Sequence, residues 1–120
     1  MRKIYISSHD APEAERLAAK LRDAGHTVVS TWHLDHSPKV SASDGAWWSE
    51  RREDNHDQIA EADNLVLMSG PDKYSGGKFF EAGIAHASGI PVVVLGHYEN
   101  GMVSGFPVVQ DSDGLIELLA

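Results

Sequence analysis

Four short apolar runs constrain the fold of this chain more than any other feature: Ile4-Tyr5-Ile6, Thr27-Val28-Val29-Ser30-Thr31-Trp32, Leu65-Val66-Leu67-Met68 and Val92-Val93-Val94-Leu95. They are rich in β-branched and apolar residues and too short for buried helices, so they read as strands. The stretches between them carry helical spacing. Asp10, Pro12 and Glu13 supply a side-chain N-cap, a proline whose missing N–H does no harm, and an acid in the first turn; Leu17, Leu21 and Ala24 then recur on one face until Gly25. Ala46 to Ala62 reads as a second helix, with Trp48, Arg52, Asn55, Ile59 and Ala62 on one unusually polar face. A third helix spans about Lys78 to Ser88, stopped by Gly89 and Pro91, and a last one Asp113 to Leu119, after a short strand at Pro107-Val108-Val109. Strands interleaved with helices predict an α/β fold: a small doubly wound parallel sheet of four to five strands with helices on both faces.

The length of 120 residues, with 42% hydrophobic side chains, matches one domain spanning 1–120. Ten Lys and Arg against 18 Asp and Glu give a net charge of −8, the wrong sign for a nucleic-acid polymer or an anionic membrane as partner. With no cysteine there is no disulfide framework, thiolate metal site or thiol nucleophile. The first residues pass straight into a strand pattern without the apolar stretch of a signal peptide, so the expected location is cytoplasmic.

In open sheets of this kind ligands sit beyond the carboxyl ends of the strands, which directs attention to Ser7 to Asp10, Thr31 to His33, Ser69 to Gly77 and Gly96 to Asn100. Ser7, Ser8 and His9 would face a ligand there, or form a plain polar turn into the Asp10 cap. Trp32 would stack on a ring, as would Trp47 and Trp48, though tryptophans also serve cores and interfaces. Ser75, Gly76 and Gly77 before a helix make an anion site, with Lys78 nearby. Glu81 is the only carboxylate from Phe79 to Tyr98, among apolar and small residues. Two readings are open: a desolvated carboxylate held ionised by the helix N-terminus and Gly76-Gly77 for attack on an electrophilic carbon, or a surface acid complementing the helix dipole. His33 and His36 lack the helical spacing of a metal pair, and neither G-x-G-x-x-G nor a P-loop is present, so no metal or cofactor is expected.

The segment Gly76-Gly77-Lys78-Phe79-Phe80-Glu81-Ala82-Gly83-Ile84-Ala85, followed by Gly89-Ile90-Pro91-Val92-Val93-Val94-Leu95-Gly96, resembles the signature of the nucleoside 2-deoxyribosyltransferase-like superfamily. Lys3 to Ser8, Gly25 to Trp32 and Asn55 to Asp63 are similar to its first βαβ unit and second helix, so the resemblance covers nearly the whole chain. It implies cleavage or transfer at the N-glycosidic bond of nucleosides or nucleotides, with Glu81 as the nucleophile that forms a glycosyl ester and water or a second base resolving it. The family's second-helix aspartate falls on Asn55 here, flanked by Asp54 and Asp57; Asp57 is the preferred candidate for the assisting acid and Asp54 a substrate contact. Asn100 matches a position that reaches the sugar, in several members from a neighbouring subunit, so a homodimer or higher homo-oligomer is expected. The alternatives are a nucleoside 5′-monophosphate N-glycosidase and, from another class, a non-catalytic nucleotide-binding module, for which Asn55 speaks. Neutral nucleosides rank above monophosphates because of the acidic charge.

Overall fold

The computed structural model describes residues 1–37, 40–70 and 76–120. Five strands, β1 (Lys3–Ser7), β2 (Thr27–Val28), β3 (Asn64–Met68), β4 (Val92–Leu95) and β5 (Val108–Val109), form one sheet in the order β2-β1-β3-β4-β5. All neighbouring pairs are parallel, with Tyr5 opposite Leu65 and Val66 opposite Val93. Four helices connect them: α1 (Ala11–Asp23), α2 (Gly45–Glu61), α3 (Gly76–Ala87) and α4 (Ser112–Leu119). The chain is therefore a doubly wound α/β domain, as its alternating pattern predicts.

The period of two along each strand separates two cores. Ile4, Ile6, Val66 and Val93 pack with Leu17 and Leu21 of α1 and Leu115 and Leu119 of α4 on one face. Tyr5, Leu65, Leu67, Val92 and Val94 pack with Ile59 of α2 and Ala82 and Ala85 of α3 on the other. Aspartates cap three of the helices: Asp10, Asp44 and Asp111 accept backbone N–H groups of Glu13, Trp47 and Gly114.

The second strand is shorter than the run Thr27 to Trp32 predicts. Only Thr27 and Val28 pair as a strand, and Trp32–Leu34 turns into a single 3-10 turn. The cause lies in polar side chains that replace the ladder. The Ile6 amide donates to Ser30 Oγ at 3.1 Å and the Trp32 indole N–H donates to the Ile6 carbonyl at 2.7 Å. Ile6 thus keeps both hydrogen bonds while the neighbouring backbone peels away from the sheet. Helix α3 also begins two residues earlier than the expected Lys78, a shift that matters for Glu81.

Candidate active site

Sheet order reverses between β1 and β3, where β1 leads to α1 on one face and β3 to α3 on the other. Beyond the carboxyl ends of these strands lies a cleft of about 770 Å³, lined by residues of the β1 exit, the Trp32 turn, α2 and the start of α3. Strand parity sets its floor. Tyr5 and Ser7 alternate with Ile4 and Ile6, so they face α2 and α3, and both are fully buried.

There they meet Glu81. The Tyr5 hydroxyl donates to Glu81 Oε2 at 2.7 Å, Asn55 Nδ2 donates to the same oxygen at 3.1 Å, and Ser7 Oγ donates to Oε1 at 2.8 Å. A single carboxylate thus collects donors from β1 and α2 while projecting from α3. Burial pushes its pKa above the usual carboxylate range, opposed by these hydrogen bonds. Tyr5 is itself raised far above the usual phenol by burial and by the Glu81 charge, so it remains a donor.

Side chains, and not the helix N-terminus, hold Glu81. Because α3 starts at Gly76, Glu81 stands in the second turn, past the free N–H groups of the first; the expected support from the helix end and Gly76-Gly77 is corrected. Lys78 is likewise not available to an anion. Its side chain is fully buried, donating to the Met68 carbonyl at 3.1 Å and pairing with Glu99, whose carboxylate also accepts from the Gly70 amide at 3.3 Å. This pair fastens the start of α3 to the ends of β3 and β4.

Of the other expected site residues, Ser8, His9, Trp32, Asp54, Asn55 and Gly77 line the cleft with Glu81, whereas Gly76 does not. Ser75 lies outside the described residues. Asp57 is exposed and outside the cleft lining. Two residues along a helix from Asn55 is a rotation of about 200°, which turns Asp57 away from the face that carries Asn55. Asn100 is also not brought to Glu81: its side chain caps the 3-10 turn Gly101–Val103 by accepting from the Met102 amide. His9 packs against Gly70 so closely that a Cβ there would stand 1.9 Å from His9 Cε1.

Tyr5 and Arg51 belong to this site and were not expected from the sequence. Tyr5 was legible in principle, since it shares parity with Ser7 in an otherwise aliphatic strand. Arg51 stacks over the Trp47 ring at 4.1 Å and reaches Asp35 at 3.4 Å, walling one end of the cleft with Trp48 and Arg52. The α2 wall is held by Ile59 and by a double clasp: Gln58 donates to Thr31 Oγ1 at 2.7 Å and accepts from the Thr31 amide at 3.1 Å. Among the described residues no group of three His, Asp or Glu side chains is placed to hold a metal ion.

An open doubly wound domain with the hydrogen-bonded Glu81 carboxylate at the floor of a strand-end cleft defines a small-molecule site. The family model of nucleoside 2-deoxyribosyltransferase matches residues 4–115, and the chain belongs to this family of enzymes. Solved structures share the fold. A 2-deoxyribosyltransferase from Bacillus psychrosaccharolyticus is 24% identical with a TM-score of 0.72, covering 95% of this chain and 90% of that one. A CMP N-glycosidase of Clostridium botulinum is 17% identical with a TM-score of 0.66, and a conserved protein from Enterococcus faecalis is 19% identical with a TM-score of 0.69; each comparison covers 98% of this chain and 96% of the other. The sequence has no match among curated proteins.

Proposed function

We propose that this chain cleaves or transfers the N-glycosidic bond of nucleosides, with 5′-monophosphates as the second choice, through a covalent glycosyl ester on Glu81. The observation that carries the proposal is the Glu81 carboxylate, fixed by Tyr5, Ser7 and Asn55 at the floor of the cleft. Family membership supports the bond type.

The hydrogen bonds differentiate the two oxygens. Oε2 takes two donors and Oε1 one, so Oε1 keeps the freer lone pair and is the attacking atom. As the C1′–Oε1 bond forms, the C1′–N bond breaks and the base departs with its electron pair, taking a proton from solvent. Water or a second base then attacks C1′ and gives up its proton to solvent as the C1′–Oε1 bond breaks and Glu81 leaves as a carboxylate, a step favoured by the Tyr5 and Asn55 donors that stabilise its returning charge. Residues 1–120 act as one domain in the cytoplasm, assembled as a homo-oligomer in which Asn100 serves the neighbouring subunit's cleft.

Incubation with deoxyribonucleosides, ribonucleosides and their monophosphates, with and without a second free base, tests the proposal by chromatography. Base exchange identifies a transferase and base release a glycosidase; the absence of both overturns the proposal. A sugar adduct on Glu81 in the mass spectrum of the quenched enzyme is the expected trace of the ester.

A further inference from the structure

We propose that Asn55 reads the 2′-hydroxyl of the sugar and so directs the site to ribonucleosides and ribonucleotides in preference to their 2′-deoxy counterparts, an inference that rests on the N-glycosidic reading of the cleft. In a β-nucleoside the base occupies one face of the ribose ring and the 2′- and 3′-hydroxyls the other. A carboxylate displacing the base approaches from the hydroxyl face. Substrate bound for attack by Glu81 therefore carries its 2′-oxygen, on the carbon next to C1′, beside that carboxylate.

The surroundings of Glu81 determine what such a hydroxyl meets. Oε2 already accepts from Tyr5 and Asn55, and Oε1 accepts from Ser7 and must bond to C1′. The hydroxyl proton needs another acceptor. A carboxylate only accepts, so the Asn55 group facing Glu81 is its NH2, as the 3.1 Å contact from Nδ2 requires. That leaves Asn55 Oδ1, which has no hydrogen-bond partner among the described residues, on a half-buried side chain that lines the cleft. An amide can donate to the nucleophile and accept from the sugar at once. An ionised aspartate would repel Glu81 and could not donate to it, and an apolar side chain would leave the hydroxyl unpaired.

Matched pairs decide the matter: cytidine against 2′-deoxycytidine, adenosine against 2′-deoxyadenosine, and the corresponding 5′-monophosphates. The expected result is a kcat/KM for base release at least about tenfold higher with the 2′-hydroxyl present, and a ratio near one in Asn55→Ala through loss of the ribonucleoside rate. Binding to Glu81→Gln, measured by calorimetry, reads the same preference without chemistry, and adding Asn55→Ala should erase it. Equal handling of the pairs, a deoxy preference, or a ratio unmoved by Asn55→Ala overturns the inference while leaving N-glycosidic cleavage intact. If no nucleoside is cleaved at all the proposed reaction fails, and a binding arm without ribose preference then removes the hydroxyl reading independently.

Discussion

Glu81 is charged when it works, and its surroundings make that charge conditional. Burial raises its pKa, so the acid limb of the activity profile should lie above the ordinary glutamate range of about 4.3. The sign for stability follows from the same shift. The folded state binds the Glu81 proton more tightly than the unfolded chain, so this residue's contribution is most favourable below the unfolded pKa and is lost as pH rises through the folded one. Glu81→Gln, which has no proton to lose, should show a flatter dependence of Tm on pH across that window than the wild type; equal slopes in calorimetric scans would contradict the assignment. The same variant should lose base release by about a thousandfold or more while keeping its circular dichroism spectrum, as removal of a nucleophile does. Tyr5→Phe removes a donor that favours the ionised carboxylate. Turnover at neutral pH should fall by roughly tenfold, and the acid limb should move to higher pH, because one hydrogen bond to a charged group is worth about 1.5–3 kcal/mol. Of these donors Ser7 was marked out by its place at the exit of β1 and Asn55 was located by resemblance, but their bonds to Glu81 became visible only when α2 and β1 were set beside α3.

Among the elements, the strands and capped helices follow from local pattern, and the departures arise where a distant side chain intervenes. The run Thr27 to Trp32 has strand composition throughout, but Ser30 and Trp32 bond to Ile6 across the sheet and end the ladder. His33 then lies fully buried, with Nε2 2.9 Å from Ser30 Oγ and Nδ1 against the Glu15 carboxylate of α1, which fastens the turn carrying Trp32. Lys78 is a second case. A lysine at a helix start reads as exposed, yet here it is enclosed between Met68 and Glu99. Lys78→Met should destabilise the fold by about 3–5 kcal/mol in chemical denaturation, since it leaves Glu99 without its partner, and adding Glu99→Gln should recover part of the loss. A loss below about 0.5 kcal/mol would mean that the pair does not fasten α3.

For the molecule as a whole, the cleft is bounded by β1, α2 and α3 but open to solvent, and Phe80 at its edge is 56% exposed. A second copy is the expected closure, with Asn100 on the opposite side of the contact. Sedimentation should show a homo-oligomer, and mixing Glu81→Ala with Asn100→Ala subunits should restore part of the turnover that each lacks alone; a monomer at working concentration would refute this arrangement. What the sequence determined by itself was the doubly wound class, the start of α1 behind its Asp10 cap and the candidacy of Glu81, because periodicity, one aspartate cap and one acid in an apolar block are local facts. Tertiary structure alone decided that Tyr5, Ser7 and Asn55 share one carboxylate, that Asp57 faces away, and that Lys78 is enclosed. These depend on strand parity, helix rotation and a two-residue shift in a helix start, which residues 76 positions apart reveal only once the parallel sheet has brought them within hydrogen-bond distance.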